Sequence, residues 1–154
     1  MSNSTPVTNQ SFYDRISHAY DLISDAGEHK ARETGEQALD VQPGECVLEI
    51  GYGTGNTMIH LATAVGDSGS VSGIDVSTGM LEVATKKLTS KGFAERIDLS
   101  VGDARKLPYE DNTFDAVFAS FTLELFPLED ILVVLAEVAR VLKPGGRLGV
   151  VSMA

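Results

Sequence analysis

Three glycines at alternate positions, Gly51, Gly53 and Gly55, are the residues whose type and spacing most directly indicate ligand binding. They follow the apolar run Cys46–Ile50, and a helical pattern begins just beyond them. A strand, a tight turn and a helix are therefore predicted. Glycine suits a turn that needs positive φ or that brings backbone close to a ligand. The turn is interpreted as a ligand cradle.

The spacing of this turn argues against a nicotinamide cofactor. The dinucleotide fingerprint G-x-G-x-x-G would place its last glycine at position 56, where this chain has Asn56. Glu49, near the end of the preceding strand, would repel a diphosphate and attract an ammonium group. The turn therefore favours a ligand with a positively charged end.

Acidic residues are predicted at the ends of three successive strands, namely Glu49, Asp75 and Asp103. Asp75 lies about 20 residues beyond Gly55, the distance at which a carboxylate reaches a ribose. A carboxylate can accept from both ribose hydroxyls, and Asp103 could accept from the exocyclic amine of adenine. Ligands of open α/β sheets bind at this edge, so the implied ligand has an amine, a ribose and an adenine without phosphates. S-adenosylmethionine fits that description.

The elements that must position these residues alternate along the chain. Apolar periodicity predicts helices at 11–25, 28–39, 57–65, 80–90 and 128–142, and strands at 46–50, 70–74, 97–101, 114–121 and 147–153. Gly35 interrupts the second helix at a cost of about 1 kcal/mol. The alternation predicts an α/β fold with a Rossmann-like, doubly wound parallel sheet that ends after the fifth strand.

Composition narrows the function classes further. The 154 residues carry 12 Lys and Arg against 22 Asp and Glu, a net charge of −10, and no basic cluster, so nucleic acid is not an expected partner. The N-terminus does not resemble a signal peptide, and no apolar run reaches the roughly 18 residues of a membrane span. A cytoplasmic protein is expected, with Cys46 as a small core residue and no metal site.

The chain ends at Ala154, directly after an apolar strand. Such an end would leave a sheet edge and apolar surface uncovered. We expect either a shortened form of a longer parent, which is favoured, or a partner chain that supplies the cover, including a homo-oligomer. A form without the parts after the fifth strand would bind its cofactor weakly and turn over poorly.

The chain resembles class I S-adenosylmethionine-dependent methyltransferases, and among them the ubiquinone and menaquinone biosynthesis C-methyltransferases. The matching pieces are FYDRISHAYDLIS at 12–24, VLEIGYGTGN at 47–56, GIDVSTGML at 73–81, VGDARKLPYEDNTFDAV at 101–117 and ARVLKPGGRL at 139–148. The resemblance implies one cofactor-binding domain over 1–154. Its parts would be a disordered tail at 1–10, a helical lid at 11–42 and a Rossmann-like core at 43–154.

The resemblance also implies that the cofactor is bound by the turn, the strand ends and the lid, through Tyr20, Glu49, Gly51, Tyr52, Gly53, Gly55, Asp75, Val76, Met80, Asp103, Ala104 and Ser120. The methionine portion would meet the turn, with Glu49 at its amine. Asp75 would bind the ribose, Asp103 would hold the adenine edge, and Ser120 would lie near the transferred methyl group. Tyr20 would belong to the lid.

The implied reaction is methyl transfer to a small-molecule acceptor. An in-line displacement from a sulfonium needs alignment and exclusion of water rather than a nucleophile triad, and no triad is visible. Tyr20, His18 and Glu124 are the candidates for a general base. The alternative function is a cofactor-binding module, or a fragment without catalysis, that pairs with another chain.

Overall fold

The structure is a computed structural model that describes residues 26–152. Within this range the elements are α1 (Ala26–Leu39), β1 (Cys46–Ile50), α2 (Asn56–Val65), β2 (Ser70–Asp75), α3 (Thr78–Ser90), β3 (Ile97–Val101), β4 (Phe114–Ser120), α4 (Leu128–Val141) and β5 (Leu142–Val151). A short 3-10 helix, Leu123–Leu125, precedes α4. The tail predicted at 1–10 and the helix predicted at 11–25 lie outside the described residues.

The five strands form one parallel sheet in the order β3-β2-β1-β4-β5. The predicted α/β, Rossmann-like doubly wound sheet is confirmed. The chain moves outward from β1 to β3 and then crosses back to place β4 on the other side of β1. Because the strand order reverses there, the carboxyl end of β1 lies at the switch point where open α/β sheets bind ligands.

Helices cover the two faces of the sheet unequally in the described part of the chain. One core cluster joins α1, α2 and α3 to the sheet, and it includes Val47. The other joins α4 to the opposite face and includes Leu48. Side chains alternate between the faces of a strand. Glu49, Asp75 and Ser120, each at or near the end of its strand, therefore lie on the same face as α1, α2 and α3.

Helix α1 runs through Gly35 without interruption. A Cβ at this position would overlap the side chain of Val151 and would lie 3.4 Å from the ring of Phe118. Glycine therefore lets the helix approach β4 and β5 closely, and this packing offsets its low helix propensity. The sequence pattern captured the cost of Gly35 but not its tertiary contact.

Arg147 of β5 holds the C-terminal end of α1. Its Nε–H donates to Leu39 O over 2.6 Å, and Nη2–H donates to Asp40 O over 2.8 Å. The same guanidinium forms two hydrogen bonds with Glu45, at 2.7 and 2.9 Å, and its hydrogen bond lowers the pKa of Glu45 to about 2. Helix carbonyls that lack intrahelical partners are satisfied in this way, and α1 is attached to the sheet.

The last strand begins earlier than its pattern indicated. Phe114 pairs with Leu142 and Ala116 with Arg147, so residues 143–146 form an irregular bulge between two paired stretches. The predicted end of α4 before this segment is confirmed. The buried face of α4 consists of Val134, Val138 and Val141, whereas Leu128 and Leu132 are 74% and 64% exposed. None of the helices in the described residues is long and apolar enough to cross a membrane.

Candidate functional site

The glycine turn joins β1 to α2 and is hydrogen-bonded to the end of β2. Gly51 has a φ of 74°, and its N–H donates to Ile74 O over 2.7 Å. A Cβ at Gly51 would overlap the side chain of Thr122, which follows β4. Gly55 has a φ of 91° and precedes α2, with Ala84 of α3 packed beside it. These two glycines are needed because neighbouring elements approach the turn closely.

Gly53 has a different environment. Its φ is 54°, but a Cβ placed on it would have no heavy atom within 4 Å. Its N–H donates to Asp75 Oδ2 over 3.1 Å. The backbone of the turn therefore faces open space at Gly53, as expected where a ligand is to lie against the main chain.

Tyr52, the second residue of the turn, is a core residue. Its ring is buried in the core on the α1, α2 and α3 face, and its hydroxyl donates to Ser100 O in β3 over 3.3 Å. Burial, with a smaller contribution from the charge of Asp75, raises the pKa of the Tyr52 phenol. The side chain therefore anchors the turn to the core as a neutral phenol.

Glu49 is a buried acid without a full set of partners. Its side chain is 1% exposed, and Oε1 has no hydrogen-bond partner within residues 26–152. Burial raises the pKa of this carboxyl well above its ordinary value, and the positive charge of Arg32 opposes the rise. Buried polar atoms are almost always hydrogen-bonded, so this exception calls for a specific structural or functional explanation.

Asp75 is equally buried but well satisfied. It is 3% exposed, and its carboxylate accepts from the N–H groups of Gly53 at 3.1 Å and Ser77 at 3.0 Å. Ser77 in turn caps α3 by accepting from the Met80 N–H, as its position predicted. Asp75 therefore couples the glycine turn to the start of α3, a structural role that its spacing alone did not indicate.

The residues predicted to bind adenine lie on both sides of the sheet and differ in their exposure. Met80 is buried in the core, and Val76 is half-buried just before α3. Ala104 is buried on the opposite side of the sheet, in the α4 cluster. Asp103 is half-buried, and its carboxylate accepts from Arg105 Nε at 2.8 Å and Nη2 at 2.6 Å. The hydrogen bond from Arg105 lowers the pKa of Asp103.

Ser120 meets a residue that the sequence interpretation missed. Arg32 of α1 donates from Nε to Ser120 Oγ over 3.2 Å, and its guanidinium carbon lies 5.4 Å from the ring centre of Phe121. Thr122 donates from its hydroxyl to Ser120 O over 2.9 Å. The sequence carried no signal for Arg32 beyond a charged helix, because its approach to Ser120 depends on the packing of α1.

A cavity of about 400 Å³ lies between α1 and the start of α2. Its lining combines cationic and anionic side chains with amides: His29, Arg32, Glu33, Glu36, Gln37, Asn56, Thr57 and His60. Glu36 crosses between the helices, accepting from Thr57 Oγ1 at 3.1 Å and lying 2.9 Å from His60 Nδ1. No group of acidic, His or Cys side chains suited to a metal ion occurs within residues 26–152.

Comparison with known proteins shows which family has this sheet and glycine turn. Residues 47–146, which contain the glycine turn and all the acids at the strand ends, match the family described as Methyltransferase domain. The chain belongs to this family. The predicted resemblance to class I methyltransferases is thereby confirmed, and the relatives described next bear out the similarity to the quinone C-methyltransferase group.

The methyltransferase domain has similar relatives and solved structures. It is 40% identical over 139 residues to a demethylmenaquinone methyltransferase of Bacillus cytotoxicus, across 88% of this chain and 57% of that protein. The chain thus spans little more than half the length of the curated relatives it matches. A SAM-dependent methyltransferase from Aquifex aeolicus superposes with a TM-score of 0.74 at 28% identity, across 87% of this chain and 71% of that chain.

A second solved structure shares the fold but carries a different title. The [4+2]-cyclase SpnF superposes on this methyltransferase domain with a TM-score of 0.71 at 32% identity, across 81% of this chain and 44% of that one. The fold similarity is as strong as that to the Aquifex protein. Similarity of this core therefore does not by itself determine which reaction is catalysed.

The predicted general bases of the methyltransferase domain receive little structural support. Tyr20 and His18 lie outside the described residues. Glu124 is exposed after β4, and its Oε2 accepts from Ser152 Oγ at 3.1 Å. The assignment of a base therefore stays a prediction, and the described part of the site is best suited to binding.

Proposed function

We propose that this chain binds S-adenosylmethionine at the carboxyl ends of β1 and β2 and transfers its methyl group to a small-molecule acceptor. The observation that supports this most directly is the buried Oε1 of Glu49, which has no hydrogen-bond partner within residues 26–152 and lies in the strand that leads into the glycine turn. A buried carboxylate oxygen without a donor calls for a cationic ligand group, and a methionine ammonium supplies one.

The described residues fit the rest of this cofactor in chain order. The backbone of Gly51 to Gly53 would lie along the methionine portion. Asp75 would accept from the ribose hydroxyls, since each carboxylate oxygen can accept more than one hydrogen bond. Val76 and Met80 would pack against the adenine. Asp103 and Ala104 would border its edge, and Gly55 would keep the turn tight against α3.

The chemistry requires positioning more than proton transfer. When bound, the sulfonium supplies an activated methyl group and a good leaving group. This chain's residues would fix the ligand's orientation through the turn and Asp75, with Ser120 near the reacting atoms. Holding two reactants in line is worth up to about 7–11 kcal/mol of barrier, so no nucleophile is required.

The acceptor is proposed at the level of a class. Demethylmenaquinone methyltransferases are among the similar relatives, so a quinone-type ring is the first class of small molecule to test. A cytoplasmic location, self-association through the sheet edge, and the division into tail, lid and core stay predictions from the sequence.

A second candidate is cofactor binding without methyl transfer, in a chain that pairs with another chain. The surface that such a partner would cover includes the outer edge of β5, which pairs only with β4 within residues 26–152, and the exposed Leu128 and Leu132 on α4. A radiolabelled methyl donor would separate the candidates, since only the enzyme transfers label to a quinone-type acceptor.

Calorimetry tests the cofactor assignment. The chain is titrated separately with S-adenosylmethionine, S-adenosylhomocysteine and NAD. We expect both sulfur compounds to bind and NAD to bind weakly or not at all, since Glu49 repels a diphosphate. Tight binding of NAD without binding of either sulfur compound would overturn the proposal.

Asp75→Ala tests the placement of the ribose. Loss of hydrogen bonds to a charged group should cost about 1.5–3 kcal/mol of cofactor affinity, or roughly a 10- to 100-fold rise in Kd. Asp67→Ala is the matched control, because it removes a fully exposed carboxylate after α2. Unchanged affinity for S-adenosylhomocysteine in Asp75→Ala would remove this residue from the site.

A further inference from the structure

We propose that Arg32 of α1 binds the α-carboxylate of the cofactor's amino-acid end and makes the site selective for ligands that carry this group. This inference rests on the proposed function and adds a specificity-determining residue to it. Residue 32 lies outside both the glycine motif and the matched family region, 47–146.

The first support is the position of Arg32. Gly35 lets α1 lie against Phe118 and Val151, and Arg147 holds the end of the helix on the sheet. This packing places the Arg32 guanidinium beside Ser120 at the end of β4. Glu49 lies in β1, the strand next to β4, and points to the same face. A cation from one element and an anion from another thus lie at the same end of the sheet, close enough for the charge of Arg32 to act on Glu49.

The second support is the way the guanidinium is held. Nε donates to Ser120 Oγ, and the planar group lies against the ring of Phe121. Within the described part of the chain, no hydrogen bond or ion pair engages its two terminal nitrogens. A guanidinium offers five N–H donors in a rigid fork that matches a carboxylate. One edge of the group is fixed by the protein and the other is available to a ligand.

The third support is the backbone at Phe121. Its φ is 51°, in a region that aromatic residues rarely adopt, and its N–H donates to Val151 O over 2.7 Å. Such conformations cost on the order of 1–3 kcal/mol and concentrate at ligand-binding sites. Here the strained residue provides the aromatic surface on which Arg32 rests.

The fourth support is the balance of charge. Glu49 lacks a partner for Oε1, and the cavity lined by Arg32 borders Asn56 and Thr57 at the start of α2. The N-terminus of a helix carries a partial positive charge that adds to the attraction for an anion. A zwitterion whose ammonium meets Glu49 and whose carboxylate meets Arg32 would satisfy both groups at once. A ligand without the carboxylate would provide no anionic partner for the guanidinium of Arg32.

The test compares two ligands that differ only in this group. S-adenosylhomocysteine carries both the ammonium and the carboxylate, whereas its decarboxylated analogue keeps the ammonium alone. We expect the wild-type chain to bind S-adenosylhomocysteine roughly 10- to 100-fold more tightly than the analogue, the range for hydrogen bonds between charged groups. In Arg32→Gln this ratio should fall to within about threefold, mainly through weaker binding of S-adenosylhomocysteine.

Two further variants keep the test decisive. Arg32→Lys keeps the charge but not the fork, so its ratio should lie between those of wild type and Arg32→Gln. Lys30→Gln removes an exposed cation from the same helix and should leave the ratio unchanged. Thermal melting of each variant reports whether it folds, and Arg32→Lys serves if Arg32→Gln does not.

The outcomes are distinguishable. An equal loss of affinity for both ligands in Arg32→Gln would assign Arg32 a supporting role toward Glu49 or the fold and would overturn the inference. So would a wild type that binds both ligands equally, although the proposed cofactor site would then stand. A wild type that binds neither ligand would overturn the proposed function and this inference with it.

Discussion

The ends of β1 and β2 carry two carboxylates that are buried alike and supported differently. Asp75 receives backbone N–H groups from Gly53 and Ser77, whereas Oε1 of Glu49 receives none within residues 26–152. The end of β2 is therefore organised by the chain itself. At the end of β1, burial disfavours the negative charge of Glu49 and raises its pKa, whereas the positive charge of Arg32 opposes that rise. Burial alone thus does not distinguish an acid with a structural role from one that is proposed to bind a ligand. The hydrogen bonds that each carboxylate accepts from the protein do distinguish the two acids.

The difference has a physical cause in the position of the two residues. Asp75 ends its strand, so the following turn can direct N–H groups back onto its carboxylate. Glu49 lies one residue before the end of β1, and the backbone donors near it are engaged in the sheet. A buried, incompletely paired carboxylate is costly, and either protonation or a bound cation lowers that cost.

The largest effect is expected from Gly51→Ala, which disturbs the link between the two strand ends. The new Cβ would overlap Thr122, and alanine at a φ of 74° is strained, so we expect a loss of about 2–5 kcal/mol of unfolding free energy. Gly53→Ala meets no neighbouring atom and should cost only about 1–2 kcal/mol. Urea unfolding measures both values, and equal losses would contradict the separate environments of the two glycines.

The next largest effect is a change in the free energy of unfolding that we expect to have opposite signs for substitutions of Glu49 and Asp75. Without ligand at pH 8, Glu49→Gln should raise the free energy of unfolding by about 1–3 kcal/mol, because it removes an incompletely paired buried charge. Asp75→Asn should lower it by a similar amount, because an amide cannot accept both backbone N–H groups. Urea unfolding of both variants checks the comparison, which fails if the two changes share a sign.

The pH dependence follows from the raised pKa of Glu49. The folded state holds the proton to higher pH than the unfolded state, so the favourable contribution is complete below the ordinary value of 4.5 and is lost as pH rises through the folded pKa. Binding of an ammonium group needs the ionised acid, so affinity for S-adenosylhomocysteine should fall as pH is lowered. Calorimetry over a pH series should show this slope in wild type and a flatter one in Glu49→Gln.

The smallest effect is expected at the end of β3. Asp103 and Arg105 form an ion pair whose side chains are 42% and 43% exposed, so Asp103→Asn should change the free energy of unfolding by less than about 1 kcal/mol. Its effect on cofactor affinity should also be smaller than that of Asp75→Ala, since Arg105 already neutralises the acid. A loss of affinity in Asp103→Asn that matches Asp75→Ala would show that the ligand displaces Arg105.

Much of the site was predictable because it depends on local chemistry. Alternating glycines after an apolar strand require positive φ, and Gly51, Gly53 and Gly55 all have it. Acids that follow successive parallel strands must share an edge of the sheet. The cap at Ser77 follows from the same kind of short-range rule.

Other features were beyond pattern and spacing. The exposed face of α4 and the bulge before Arg147 depend on which neighbours are present. The same is true of Gly35, which allows α1 to pack closely against β5. Periodicity reports that a residue can be buried, but it does not report against what.

The sequence by itself determined the order of elements and the glycine turn, because glycine spacing and strand-end acids are set by backbone geometry, and its motifs carried the resemblance to the methyltransferase family. Only the tertiary structure decided that Glu49 is left without a full set of partners and that Arg32 reaches the site from a distant helix. Those facts depend on long-range packing, in which hydrogen-bond donors and charges come together from segments about 90 residues apart in the chain. The chemistry that receives the ligand therefore becomes visible only in the folded chain.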